Sequence, residues 1–410
     1  MPFTGEVRKI KPLELLECSK IAAICFEYAN EEELSPQEYY EKVWNERDKA
    51  THRSSAYPME SYVALQNGQI ASTIVAMPFA VNFDGTVANM CGIGGVCTLP
   101  QYRRLGSVRA IFQEMLHCEK EKGTEFSYLY PFSQKYYEQF GYYMSDPKVE
   151  YTCGLSHLKK TDSPDSISLY DGNGNIDAFM KAYARMNQEN KFNFMIHRER
   201  CDFGKVLNAD PCKKNEFAYL FSDAEQNPCG YMVFHQLIED GSRLIKVEEL
   251  CYNNAKTFSG MMGFMAGFAA DYKAVRFEAP LSQPLDFICT DQSQGLFEKK
   301  INKNGMLRVI DVVKVLEKAK YRGSGEAVLE IEDDILDRTY HLAVQYKDGV
   351  LTDLDKTKRE PDAAIPIGLF SAAIAGRYSD RDWEWMQGKP LPKGVAGIFY
   401  KKDIYINNFF

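Results

Sequence analysis

The order of predicted secondary-structure elements in the first third of the chain occurs again in the second third. Apolar patterns and turn residues predict a β-hairpin, a further strand, a helix and a last strand in both passages. These elements fall at residues 61–81, 88–100, 108–123 and 125–131 in the first copy and at residues 217–238, 243–254, 255–273 and 274–280 in the second. The repeated order predicts two structurally related α/β units, residues 1–149 and 150–300. Two α/β units that are alike only at this coarse level are the alternative.

The last part of the chain has a different pattern, which predicts a third and smaller α/β unit at residues 301–410. Strand-like segments at 327–335 and 340–354 are followed by a helical segment, and residues 383–392 resemble a loop. An apolar, strand-like pattern runs to the end of the chain. The expected fold class is therefore α/β (α+β), with three units in one chain.

Bulk composition excludes several classes of protein. The 410 residues carry a formal net charge of -8, which disfavours nucleic-acid binding and leaves room for cationic substrates. The sequence has no apolar run of roughly 18 residues and no apolar signal core of roughly 7–15 residues, so we expect neither membrane insertion nor secretion. The 11 cysteines are scattered, with no C-x-x-C pair, and no H-E-x-x-H is present. This pattern indicates free thiols in a reducing cytoplasm and no metal site.

Positive charge is concentrated in the loop QYRRLGSVRA, residues 101–110, of this acidic chain. The loop lies between a predicted strand and a predicted helix, where backbone N–H groups and the positive end of the helix face outward. Gly106 permits a tight turn, and Arg103 and Arg104 supply fork-shaped cationic donors. This combination suits a diphosphate. The preceding GIGGVC holds only part of a G-x-G-x-x-G and no GK[ST] follows, so neither a dinucleotide fingerprint nor a P-loop is present. A basic surface loop that caps a helix is the alternative.

The matching loop of the second copy, NNAKTFSG at residues 253–260, has no arginine and no glycine at the corresponding point. The contrast predicts one working ligand site and one copy that serves as scaffold.

A tyrosine-rich segment, YYEQFGYY at residues 136–143, follows the last strand of the first copy. Such a run usually forms the aromatic edge of a core. A neutral phenol can also protonate a leaving thiolate, because a tyrosine pKa of about 10 keeps the proton available at neutral pH. The chain ends at Phe410, whose α-carboxylate could accept a proton from an ammonium substrate if it is held and buried. Chain ends more often fray, which is the alternative.

These features together resemble a known family. The run Arg103-Arg104-Leu105-Gly106-Ser107-Val108 is similar to the R-x-x-G-x-x pyrophosphate loop of the GCN5-related N-acetyltransferases, although Val108 stands where Gly or Ala is usual. With the motif Y-x-x-F-G-Y at residues 137–142, the duplicated unit and a terminal phenylalanine, the whole chain resembles the enhanced-intracellular-survival (Eis) family of these enzymes.

The resemblance implies a catalytic acetyltransferase (GNAT) domain at residues 1–149, a degenerate second one at 150–300, and a sterol-carrier-like domain at 301–410. It also implies acetyl-CoA as co-substrate, a homo-hexamer, and direct transfer of the acetyl group to a primary amine. The acceptors would be aminoglycosides, polyamines or lysine side chains.

The resemblance also implies roles for individual residues. In the implied acetyl-CoA site, the strand residues that pair with the pantetheine arm are Val96, Cys97 and Thr98. The pyrophosphate loop consists of Arg104, Leu105, Gly106, Ser107, Val108 and Arg109, with Arg103 beside it. The residues that flank the sulfur are Phe132 and Ser133. Tyr137 matches the general acid, and the carboxylate of Phe410 matches the general base. Gly94 and Gly95 stand where the family can have bulkier side chains that line the acceptor pocket, so a wider pocket is expected. The other candidate residues of this pocket follow only from their place on the first predicted helices and are Phe26, Glu27 and Trp44. Gln134 and Lys135 stand where the family often has small residues, which would alter the thioester pocket.

Two other functions compete with this interpretation. One is a lipid-binding or scaffold protein with a vestigial acetyltransferase domain, and the other is an acyltransferase for longer acyl-CoA. Acidic stretches such as residues 30–34 and 330–337 could attract a polycation, although solvated surface is their usual meaning. A covalent route through Cys97 is disfavoured, because no histidine accompanies it in the sequence and it lies in a predicted strand.

Overall fold

A computed structural model describes residues 3–30, 33–50, 60–145, 147–159, 161, 166–172, 176–290, 295–302 and 305–408. The side chains of residues 44–50 lie outside this description, and so do the predicted pocket side chain of Trp44 and the whole of Phe410. The chain separates into two compact units. Residues 1–146 and 304–410 form the first unit, and residues 147–303 form the second.

Before residue 146, the predicted order of hairpin, further strand, helix and last strand is found between residues 60 and 129. The elements are β1 (Glu6–Lys9), α1 (Leu15–Phe26), α2 (Pro36–Ala50), β2 (Glu60–Gln66), β3 (Gln69–Phe83), β4 (Thr86–Thr98), α3 (Ser107–Glu121), β5 (Phe126–Leu129), α4 (Gln134–Glu138) and β6 (Tyr143–Met144). Asn67 and Gly68 join β2 to β3 with φ of 53° and 79°. Two positive φ values in a two-residue loop are the requirement of the tight hairpin turn that this dipeptide predicts.

The rest of the chain adds the following elements. The second unit contains β7 (Lys148–Gly154), β8 (Ser166–Leu169), α5 (Ile176–Asn190), α6 (Gly204–Leu207), β9 (Glu216–Ser222), β10 (Pro228–Glu239), β11 (Ser242–Tyr252), α7 (Ala255–Ala266), β12 (Ala274–Pro280) and β13 (Phe297–Asn302). The chain then returns to the first unit with β14 (Met306–Val309), α8 (Val312–Lys318), β15 (Gly325–Asp333), β16 (Arg338–Lys347), β17 (Val350–Lys356), β18 (Ala363–Pro366), α9 (Ile367–Ala375), α10 (Asp380–Gln387) and α11 (Lys393–Ile398).

The first sheet has the order β1-β2-β3-β4-β5-β14-β6. Its only parallel pair among the described strands is β4 with β5, and that pairing ends at Ile93 opposite Leu129. Further along β4, Gly95 and Val96 together face Ile74 of β3, which is a β-bulge. Gly95, in the bulge, has a left-handed φ of 57°, which glycine adopts without steric strain. Past the bulge, β4 continues to Thr98 without β5 beside it, so a cleft opens between the two strands.

Two apolar clusters cover opposite faces of this sheet. One cluster joins α3 to the tyrosine segment and includes Phe112, Tyr137 and Phe140. The other joins α1 to the sheet and includes Ile21 and Cys97. Because successive side chains of a strand point to opposite faces, Val96 packs against the α3 cluster while its neighbour Cys97 packs against the α1 cluster.

The second sheet has the order β13-β7-β12-β11-β10-β9-β8. Strands β9, β10 and β11 are antiparallel neighbours, β12 is parallel to β11, and α7 connects them. This is the arrangement of β2, β3, β4, β5 and α3 in the first sheet, so the two units share the predicted repeat. Both copies are mixed α/β.

The strands that complete the two sheets differ from the predicted division of the chain. Strand β14, from the last part of the chain, lies between β5 and β6, whereas β7, which directly follows β6 in sequence, lies between β12 and β13. Residues 301–410 therefore do not form a unit separate from residues 1–149, since β14 is an interior strand of the first sheet. An apolar strand carries no local mark of the sheet that it joins, which is why the sequence predicted contiguous domains.

A third sheet, β17-β16-β15-β18, lies in the C-terminal part of the first unit. Helix α9 is apolar except for Ser371 and almost entirely buried, and it contacts β14, β15 and β18. The predicted loop at residues 383–392 is wrong in its first half, because α10 extends to Gln387. Ser379 and Asp382 cap the start of this helix reciprocally. The sterol-carrier-like character of residues 301–410 stays a prediction.

Candidate active site

The arginine loop connects the free end of β4 to the start of α3. Arg104 and Gly106 have left-handed φ values of 67° and 83°, and Gly106 is the N-cap of α3. No side chain caps this helix start, so its first backbone N–H groups remain available to a ligand. Arg103 and Arg104 are exposed, and within the described part of the chain neither has a carboxylate within 4.0 Å. The loop therefore offers backbone donors, a helix dipole and two uncompensated cations to an anion.

Among the other loop residues predicted to bind acetyl-CoA, some side chains are exposed and others are buried in the protein. Ser107 is buried and its Oγ lies 2.7 Å from Oγ of Ser72, which in turn lies 2.8 Å from Oγ1 of Thr98. Val108 is buried in the α3 cluster, whereas Leu105 is exposed. Ser107, Thr98 and Val108 thus fix the helix to the sheet with their side chains, which leaves only their backbone for a ligand.

Cys97 has the environment of a structural thiol. It lies in the α1 cluster, its Sγ is 3.1 Å from Oγ1 of Thr73, and burial raises its pKa to about 11. A thiolate is the reactive form of cysteine, so a raised pKa disfavours nucleophilic attack. Because Cys97 and Tyr137 pack on opposite faces of the sheet, they cannot act on one substrate together.

The tyrosine segment places one phenol in the α3 cluster. Ser133 caps α4, accepting a hydrogen bond from the backbone N–H of Tyr136 at 3.4 Å. Tyr137 is 3% exposed, with ring centroids at 5.4 Å from Phe132 and 6.4 Å from Phe112. Burial raises the pKa of the Tyr137 hydroxyl above its ordinary range, since the apolar rings around it disfavour the phenolate.

Two tyrosines of this segment are distinguished by their hydrogen bonds. The hydroxyl of Tyr142 lies 2.6 Å from Oγ of Ser127, which donates to the carbonyl of Cys91 at 3.0 Å. In the described part of the chain, no group forms a hydrogen bond with the hydroxyl of Tyr137. Tyr142 is therefore a structural phenol, whereas the hydroxyl of Tyr137 is bound to no other described group.

Residues predicted for the acceptor pocket occupy two places. Phe26 and Glu27 are exposed at the end of α1, where Glu27 has a left-handed φ of 57°. Gly94 and Gly95 lie at the bulge of β4. A Cβ at Gly94 would lie 2.9 Å from Cε of Met77, so any larger residue there would displace that side chain. Phe132, predicted beside the sulfur, is 74% exposed at the mouth of the cleft.

The last described residues are held close to this cleft by contacts with distant residues that sequence reasoning did not identify. The hydroxyl of Tyr130, one residue beyond β5, donates a hydrogen bond to the carbonyl of Asn408. Ile406 is fully buried, and Lys402 forms a buried ion pair with Asp84 at 2.5 Å. The predicted terminal strand is absent from the named strands of the described chain, and these contacts hold the segment instead.

The corresponding loop of the second unit lacks the arginines and the uncapped helix start. Asn254 caps α7 with its own side chain, which accepts from the N–H of Thr257 at 3.0 Å. The amide of Asn253 contacts both carboxylate oxygens of Glu189 at 3.2 and 3.1 Å. A self-capped helix start beside a carboxylate is a poor phosphate site.

The class of protein follows from comparison of these regions with known families. Residues 6–144 match a family described as acetyltransferase (GNAT) domain, and residues 195–309 match a second family of the same description. The chain therefore carries two acetyltransferase domains of the GNAT family and belongs to the acyltransferases.

Solved structures share the fold over the full chain. A probable N-acyltransferase from Enterococcus faecalis has 20% sequence identity and a TM-score of 0.81, with 99% of this chain and 100% of that chain covered. A GCN5-related N-acetyltransferase from Anabaena variabilis has 18% identity and a TM-score of 0.80, with coverage of 99% and 100%. Eis1 from Mycobacterium abscessus has 13% identity and a TM-score of 0.77, with the same coverage. At these identities the likeness shows the fold alone.

Two further searches bound the comparison. No curated protein sequence matches this chain significantly. Across the described residues, none of the helices combines the length and the apolar character needed to span a bilayer.

Proposed function

We propose that this protein transfers an acetyl group from acetyl-CoA to a primary amine by direct attack of the amine on the thioester. The observation that carries the proposal is the position of Tyr137. This buried phenol has no hydrogen-bond partner among the described residues, and it packs in the same cluster as Val96 on the strand that borders the cleft. A neutral acid at the cleft and an uncapped helix start at its end are two features that suit a reaction of a CoA thioester.

Different residues of the cleft have different roles in the proposed reaction. The unpaired side of β4, from Gly94 to Thr98, offers N–H and C=O groups to an extended amide-containing chain. Arg103 and Arg104 hold the diphosphate through charge-assisted hydrogen bonds. An N–H group of β4 stabilises the oxygen that becomes negative as the amine attacks. Before the attack, the α-carboxylate of Phe410 accepts the proton of the ammonium form of the acceptor, directly or through water, and after the attack Tyr137 protonates the departing thiolate.

We propose an aminoglycoside, a polyamine or a lysine side chain as the acceptor, consistent with the net negative charge of the chain. We also propose that the enzyme assembles as a homo-hexamer in the cytoplasm. Measurement of thiol release from acetyl-CoA against a panel of these amines tests the function. Acetyl-CoA that binds without any turnover would leave the acceptor unidentified, whereas no binding at all would favour the lipid-binding or scaffold alternative.

Loss of the two loop arginines should weaken acetyl-CoA binding without slowing the chemistry. In the Arg103→Ala/Arg104→Ala variant we expect KM for acetyl-CoA to rise at least about tenfold while kcat stays within about twofold, because charged hydrogen bonds contribute about 1.5–3 kcal/mol each. Lys256→Ala, an exposed cation at the start of α7, is the matched control and should leave KM unchanged. An unchanged KM in the double variant would contradict the phosphate role of the loop.

In the pH range near 10, where a free tyrosine titrates, kcat should show no decrease caused by deprotonation of Tyr137. A general acid is active only while protonated, and its raised pKa keeps it protonated through about pH 10. Because the primary amines proposed as acceptors lose their own proton near pH 10, we expect kcat to level or rise, and not to fall, as the pH approaches about 10. Steady-state rates across this range test the expectation. A decline near pH 10 that is missing in Tyr137→Phe would show that the phenol has an ordinary pKa.

A further inference from the structure

A buried ion pair from the last part of the chain holds the tyrosine segment. Arg308 on β14 is fully buried, and its Nη2 donates to both carboxylate oxygens of Asp333 at 2.7 Å. Its Nη1 donates to the carbonyl oxygen of Phe140 at 2.6 Å. The guanidinium thus joins the end of β15 to the turn that follows Tyr137.

The Phe140 carbonyl belongs to a turn that is closed on the backbone of Tyr137. The carbonyl of Tyr137 accepts hydrogen bonds from the N–H groups of Phe140 at 3.0 Å and of Tyr142 at 3.3 Å. On its apolar side, the Phe140 ring stacks on Phe112 with centroids 4.5 Å apart. A shift of the Phe140 peptide would therefore move the backbone from which the Tyr137 phenol projects.

The glycine of the segment leaves the space that the guanidinium needs. Gly141 has a φ of 78°, which favours glycine. A Cβ at this position would lie 1.9 Å from Nη1 of Arg308 and 2.7 Å from Cγ2 of Ile367. Gly141 and Arg308 are thus parts of one arrangement, although 167 positions separate them in the sequence.

A contribution to the stability of the fold does not by itself explain the buried ion pair of Arg308 and Asp333. The desolvation of two buried charges largely offsets their attraction, and well-packed apolar residues often stabilise a protein as well. Asp333 is further fixed because its Oδ1 accepts from the N–H groups of Ile335 and Leu336, both at 3.3 Å. What an apolar pair cannot provide is a directional bond to the carbonyl three residues beyond Tyr137.

We infer that Arg308 is a positioning residue for the acyl-transfer reaction and that Asp333 orients it. Arg308 acts through the Phe140 carbonyl and does not touch the reacting atoms, so it fixes where the Tyr137 hydroxyl stands. The inference rests on the proposed role of Tyr137 as general acid.

The first test is Arg308→Lys. A lysine keeps the charge that faces Asp333 but has one nitrogen, so it cannot reproduce the fork that reaches both Asp333 and Phe140. We expect kcat to fall about tenfold while KM for acetyl-CoA stays within about twofold, since the loss arises only at the transition state. The matched control is Arg198→Lys in the second unit, where a buried arginine also pairs with a carboxylate, Glu249; its kcat should stay within about twofold of wild type.

A variant cycle separates positioning from general damage. In the Tyr137→Phe/Arg308→Lys variant we expect the kcat of Tyr137→Phe alone, because the Tyr137 hydroxyl that Arg308 positions is already missing. A further tenfold loss in that background, or a wild-type kcat in a folded Arg308→Lys protein, would overturn the inference and leave the role of Tyr137 intact. Full activity of Tyr137→Phe by itself would overturn both.

A second variant keeps the test decisive if Arg308→Lys does not fold. Arg308→Met/Asp333→Leu removes both buried charges, so no charge is left unpaired. The N–H groups of Ile335 and Leu336 and the carbonyl of Phe140 lose a hydrogen bond, so we expect a folded variant whose thermal unfolding midpoint lies below that of wild type. The same tenfold loss of kcat is expected in this variant. A stable double variant with wild-type kcat would assign the pair a purely structural role.

Discussion

Replacement of Tyr137 by phenylalanine should lower kcat about 100-fold and leave KM for acetyl-CoA within about twofold, because a general acid contributes about 10²–10⁴ in rate. The substitution removes one hydroxyl and keeps the ring contacts with Phe112 and Phe132. That hydroxyl has no partner among the described residues, so its loss breaks no hydrogen bond of the described fold. The expected effect therefore falls on chemistry. Steady-state thiol release with acetyl-CoA and a reactive amine measures it.

The neighbouring tyrosine provides the matched control for this prediction. Tyr136 lies on the same helix, its ring packs against Phe132 and Phe140, and burial likewise raises the pKa of its hydroxyl. Tyr136→Phe should keep kcat within about twofold of wild type. Equal losses in the two variants would indicate a general effect of packing in the tyrosine segment, and wild-type kcat in Tyr137→Phe would exclude the acid role.

Extension of the chain beyond Phe410 should lower kcat/KM for the amine about 100-fold and leave acetyl-CoA binding unchanged. A peptide extension converts the α-carboxylate into a neutral amide, which cannot accept the proton of an ammonium group. The hydrogen bond from Tyr130 to Asn408 supports this prediction, because it holds the chain two residues earlier beside the cleft.

Two companion proteins identify the cause of such a loss. The same extension placed before Met1 should leave the rate unchanged, which controls for the added sequence itself. Deletion of Phe410 moves the carboxylate by one residue and should reduce kcat/KM to a similar extent. Wild-type turnover in the C-terminally extended protein would exclude the carboxylate as the base, and acetyl-CoA binding measured by calorimetry would still report on the loop.

Features encoded by local chemistry were predictable from the sequence. The Asn67-Gly68 turn requires positive φ at both residues, which this dipeptide tolerates, so the hairpin and the position of its turn were predictable. The arginine loop was recognisable because Arg103, Arg104 and Gly106 are adjacent in sequence. Helix α10 could also have been found, since the reciprocal cap of Ser379 and Asp382 is a local signal.

Features set by distant parts of the chain were not predictable in this way. The apolar residues of β14 suit any sheet interior, so nothing in them indicates that they pair with β5 and β6. The contacts of Arg308 with Asp333 and with Phe140 depend on that placement. In the same way, Tyr130 gave no sequence signal as a partner of Asn408, because 278 positions separate them.

The insertion of β14 between β5 and β6 has a consequence for synthesis on the ribosome. The strands of the first sheet up to β6 emerge early, but the gap between β5 and the edge strand β6 is filled only after residues 306–309 have been translated. At about 5–20 residues per second this leaves a delay of roughly 10–30 s, during which β5 and β6 present unpaired edges. During this delay the nascent first domain is exposed to aggregation and to binding by chaperones. A chain that ends after the first domain would have an incomplete sheet.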